Sequence, residues 1–95
     1  MTQPLSPELQ IACEIYHQNI NKRPVWFTKL VEYFAGTFTR EEVSHHLDTL
    51  TDWMIIEGGY GETVKGRAGY CFSIDLDHGG HMIPELYEKY WKDTR

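Results

Sequence analysis

Apolar positions along the first third of the chain follow a helical period. Leu9, Ala12, Cys13, Tyr16 and Ile20 fall on one face. Ser6-Pro7-Glu8 supplies a capping serine, a proline at the first helical position and an acid in the positive first turn, so the pattern predicts a helix to about Gln18. Asn19 to Pro24 breaks it, and Arg23 before Pro24 is held extended, which favours a short strand at Val25-Trp26. Thr28 is the expected cap of a second helix of about two turns, with Leu30, Val31 and Phe34 inside and Ala35-Gly36 at its end.

Thr39 stands three residues before Glu42, the spacing of a reciprocal capping box. Val43, Leu47, Leu50 and Met54 continue as an apolar stripe, so a third helix over 39–53 turns Arg40, Glu41, Ser44, His45, Asp48 and Thr49 outward. Then the period becomes that of strands. Met54–Tyr60 and Gly69–Ile74 read as strands of a hairpin whose glycine-bearing connection spans 61–68. Asp75–Gly80 is polar loop, and Ile83, Leu86, Tyr87, Tyr90 and Trp91 mark a last amphipathic helix over 82–94.

This order, with two helices joined by a short turn and the second followed by a hairpin, resembles the winged helix-turn-helix fold. The similarity covers Ser6–Ile74 and is most specific at Thr39-Arg40-Glu41-Glu42-Val43-Ser44-His45-His46-Leu47, which is similar to the recognition-helix stretch of MarR, PadR and ArsR-type regulators. Met54-Ile55-Ile56-Glu57 resembles the lead into the first wing strand, and Lys65-Gly66-Arg67 falls where those families carry a basic wing tip. The glycine they often place just before the wing falls at Met54, and Glu41, His45 and Asp48 replace arginines of their outer helix face. The resemblance implies an α+β fold with a three-helix core, a β-hairpin wing and an extra C-terminal helix, in a single domain over 1–95.

It also implies a cytoplasmic transcriptional regulator that binds duplex DNA. Helix 39–53 enters the major groove and the wing meets neighbouring backbone. On this chain the implied DNA-binding residues are Lys29, Thr39, Arg40, Ser44, His45, Lys65 and Arg67, with Lys22 and Arg23 flanking the second helix. Related regulators act as two-fold dimers, and the stripe of Ile83, Leu86, Tyr87, Tyr90 and Trp91 is the expected homodimer interface. The alternative is a winged helix that binds protein and not DNA.

Composition bears on these expectations at one point. The 95 residues carry a net charge of −5, whereas nucleic-acid binders are usually basic. Phosphate attraction is local, however, falling off within about 8–10 Å at physiological salt, and six of the nine basic residues lie on segments expected to face DNA. Thirteen aromatic residues support a core, and no run approaches the roughly 20 apolar residues of a membrane span. The start has no signal-peptide pattern, and the expected location is the cytoplasm.

Little points to chemistry. Cys13 and Cys71 form no CxxC pair and read as small core residues. Asp75-Leu76-Asp77-His78-Gly79-Gly80-His81 offers two imidazoles near two carboxylates, but turns use the same residue types for geometric reasons. Adjacent His45 and His46 point about 100° apart on a helix and cannot chelate one ion together, and His17 reads as a surface residue of the first helix. G-x-S-x-G, G-x-x-x-x-G-K and HExxH motifs are absent. No enzyme, metal or cofactor is expected.

Overall fold

The computed structural model describes residues 5–64 and 67–94. It is a small α+β fold in which helices flank a two-stranded antiparallel hairpin. Helix α1 spans Pro7–Ile20, α2 Phe27–Tyr33 and α3 Arg40–Asp52; strands β1, Ile56–Val64, and β2, Arg67–Ile74, follow. A continuous helical segment then runs as a 3-10 turn at Gly79–Met82, helix α4 at Ile83–Leu86, a π-turn at Tyr87–Trp91 and a 3-10 turn at Lys92–Thr94. No helix among the described residues is long and apolar enough to cross a membrane.

The core lies around α1, whose Ile11, Ala12, Cys13 and Ile15 are fully buried. Ser6 caps it as expected, its hydroxyl accepting from the Leu9 amide at 3.3 Å. Asn19 does not end this helix. Its side-chain amide accepts from the Ile74 amide at 3.0 Å and donates to the Phe72 carbonyl at 3.5 Å, tying α1 to β2 while the helix runs on to Ile20. His17 is likewise not a bare surface residue: it is half-buried, and its Nδ1 shares a 2.7 Å hydrogen bond with the Tyr87 hydroxyl.

Helix α2 is capped earlier than Thr28 suggests. Trp26 is its N-cap, extended and without a side-chain cap bond, because Val25–Trp26 lies along β2. The Phe72 amide donates to the Val25 carbonyl at 3.0 Å, which makes the expected short strand a single bridge between Trp26 and Cys71. Gly36, at φ 89°, then turns the chain toward α3.

The capping box on α3 is complete: the Thr39 hydroxyl accepts from the Glu42 amide at 3.1 Å, and the Thr39 amide donates to Glu42 Oε1 at 2.8 Å. Val43, Leu47 and Leu50 are buried, each contributing about 1.5–3 kcal/mol by leaving water. Met54 is not the next core position. It is 58% exposed at φ 60°, and this left-handed turn delays β1 to Ile56. The strands pair from Ile56 with Ile74 to Gly61 with Gly69, and after an irregularity Val64 pairs with Arg67, so both are longer than the alternation indicates.

The loop after β2 tucks beneath the α3–β1 turn. A Cβ at Gly79 would run into the Trp53 carbonyl oxygen, so only glycine allows this approach. Ile83, Tyr87 and Trp91 then turn inward onto α1 and are buried.

Candidate nucleic-acid interface

With its apolar stripe in the core, α3 presents Arg40, Glu41, Ser44, His45 and Asp48 on its exposed side. The Arg40 guanidinium stacks on the Phe27 ring, 4.8 Å from its centroid, and joins the first turns of α3 and α2. A concavity of about 450 Å³ is lined by these five α3 residues and Phe27. A second, of about 370 Å³, carries it along α3 toward β2, where Phe27, Ser44 and Asp48 recur beside Leu47, Thr51 and Phe72. Together they form a groove with two aromatic walls.

Phe27 and Phe72 are the residues that sequence reasoning missed here. Phe27 sits in an apolar run read as strand and helix start, and Phe72 in an alternating strand. What brings them together is the bridge between Trp26 and Cys71, a contact between distant positions that local periodicity does not encode.

The expected interface residues are only partly assembled. Thr39 is exposed, but its hydroxyl already serves the cap. Arg40, Ser44 and His45 share the first concavity. Lys29 is exposed on α2, its ammonium donating to the Pro24 carbonyl at a long 3.5 Å, and it does not line the groove. Lys65 lies outside the described residues, and for Arg67 only the backbone pairing with Val64 is described. Within α3 one arginine stands against Glu41, Glu42, Asp48 and Asp52. A carboxylate repels phosphate and is useful to DNA only where it accepts from a base amino group.

Of the expected dimer residues, Ile83, Tyr87 and Trp91 are spent in the chain's own core, whereas Leu86 and Tyr90 are half-buried at its margin. The stripe has an internal partner. Tyr87 packs edge-on against Tyr16 at 5.2 Å, and the Trp91 indole donates to Glu14 Oε1 at 3.2 Å.

At the Asp75–His81 loop, side chains serve the turn itself. His78 Nδ1 bonds Asp75 Oδ2 at 2.8 Å, and His81 Nδ1 donates to the His78 carbonyl at 2.8 Å. The Asp75 hydrogen bond and its charge raise the exposed His78 imidazole above its ordinary value. No group of three or more potential metal ligands occurs among the described residues.

No family model and no curated protein matches this chain. Among solved structures it is similar to the crystal structure of Pex from Synechococcus sp. (strain PCC 7942), with a TM-score of 0.56 and 17% identity over 90% of this chain and 81% of that one. Such a likeness shows a shared fold and nothing finer.

Proposed function

We propose that the chain is a winged helix-turn-helix module that binds duplex DNA as a homodimer and regulates transcription, with α3 in the major groove and the β1–β2 hairpin as the wing. The observation that carries this reading is the presentation of α3. Its inner face is consumed by Val43, Leu47 and Leu50, its first turn is exposed and rigidly capped, and the hairpin follows after a three-residue turn. Arg40, held by Phe27 at the start of the helix, is the natural first contact. Homodimerisation then needs a surface other than the buried stripe, and exposed Trp53, Met54, Leu76 and Met82 lie on the segments that meet where Gly79 passes beneath the α3–β1 turn.

The test is retention of random duplex DNA as a function of salt. Wild-type chain binds with a steep salt dependence, and combined Arg40→Ala, Lys65→Ala and Arg67→Ala weakens binding and lowers the slope by about one for each phosphate no longer neutralised. Unchanged retention removes this face as the interface. A protein-binding winged helix is favoured by a different feature, the combination of Glu41 and Asp48 with the Phe27 and Phe72 walls, which suits a basic segment with an apolar anchor. Absence of DNA binding even at low salt supports that second reading.

A further inference from the structure

Helix α3 carries four carboxylates, and three of them either serve the helix or lie off the groove. Glu42 completes the cap through Oε1, Glu41 stands in the first turn, where the positive end of the helix favours an acid, and Asp52 lines neither concavity. Asp48 is different. It is exposed, no ion pair or hydrogen bond engages its carboxylate among the described residues, and it lines both concavities along α3. Its position also works against the helix: aspartate is a poor helix former in an interior turn, and Asp52, four residues on, adds a like charge. A residue that costs stability, has no structural partner and sits on the presented face is explained by what that face meets.

The reading of α3 as the helix that enters the major groove supplies the ligand chemistry, and the inference rests on that reading. Guanine presents N7 and O6 there and thymine O4, all acceptors that a carboxylate repels, whereas adenine sets its amino group beside the acceptor N7. Cytosine presents the N4 amino donor alone. An unpaired carboxylate therefore discriminates twice, by the bond it makes to cytosine and by its repulsion of guanine and thymine. The phosphates are left to cations such as Arg40, whose guanidinium lies over Phe27 and pairs with no carboxylate of the described residues.

We propose that Asp48 is a specificity-determining residue, its carboxylate accepting from the N4 amino group of a cytosine in the major groove, so that the chain prefers duplexes with a C·G pair at one fixed position of the half-site. The acidity of the presented face then acts as a filter on sequence.

The experiment is enrichment of bound duplexes from a randomised pool, followed by sequencing, with wild-type chain, Asp48→Asn and Asp48→Ala, each shown to be folded by circular dichroism. Wild-type chain enriches cytosine at one position, and replacing that C·G pair by G·C weakens binding about tenfold. Asparagine pairs with N6 and N7 of adenine, so Asp48→Asn moves the preference at that position from cytosine to adenine. Asp48→Ala loses the preference there and retains random duplex more strongly, because a charge that repels phosphate is gone. A merely structural Asp48 would shift the Tm and leave the enriched sequence as it was. Retention of the random pool at low salt separates the two ways to fail. No retention by wild-type chain removes the DNA reading and the assignment with it, whereas retention with the same enriched site in all three chains, or with no cytosine that the variants alter, overturns the assignment of Asp48 alone.

Discussion

Met54 carries a left-handed backbone, φ 60°, at the turn that redirects the chain from α3 into the hairpin. For a residue with a Cβ this conformation costs about 1–2 kcal/mol, against roughly 0.5–1 kcal/mol of extra unfolded-state entropy for glycine. The side chain is mostly in water, so little packing opposes the exchange. Met54→Gly should raise the unfolding free energy by about 0.5–1 kcal/mol in urea titration. The winged-helix families that the sequence resembles often place glycine at this position, so the strain is legible before the fold. Cys13 is a different kind of residue. Burial, with Glu14 beside it, pushes its thiol up to about 12 from 9.0. The folded chain therefore holds this proton more tightly than the unfolded one: the stabilisation is complete below about 9 and is lost as pH rises toward about 12. Cys13→Ala should flatten that alkaline decline, and in native chain at neutral pH a thiol reagent should modify half-buried Cys71 first.

Among the elements, α3 is the most legible because its start signal is local. Two residues three apart specify the cap, and both reciprocal bonds are present. Thr39→Ala should cost about 1 kcal/mol, read as an earlier thermal transition, and should loosen the turn that presents Arg40. Signals that depend on distant partners are not legible in the same way. Trp26 takes over the cap of α2 because β2 holds it extended, and Asn19 stays helical because β2 offers its amide two backbone partners. The last segment shows both cases at once: the stripe of Ile83, Tyr87 and Trp91 is evident in the sequence, whereas which surface it covers is not. A step of four overshoots a full turn in an α-helix and falls short of one in a wider π-turn, so the succession of α4 and π-turn keeps all three side chains aligned on α1.

On the scale of the molecule, α1 organises everything else. It meets α3, β2 and the last helical segment, and Glu14 is buried where α1 and that segment meet. The Trp91 indole both donates to Glu14 and packs at 6.2 Å from the Phe34 ring. Trp91→Ala should destabilise the chain by about 3–5 kcal/mol, enough to unfold much of a domain this small at physiological temperature, and circular dichroism at rising temperature measures it. Net charge says less about the whole than its −5 suggests, since the acidity of α3 is a property of one face and the groove beside it is walled by aromatics.

The bond between Glu14 and Trp91 spans 77 positions. A ribosome adding about 5–20 residues per second needs roughly 4–15 s to make that stretch, and throughout it α1 exists without the segment that covers it. Its apolar stripe and its carboxylate emerge together, ahead of the segment that buries them. A stall between the two segments would therefore leave a chain whose first helix is still partly open to any apolar surface that reaches it sooner.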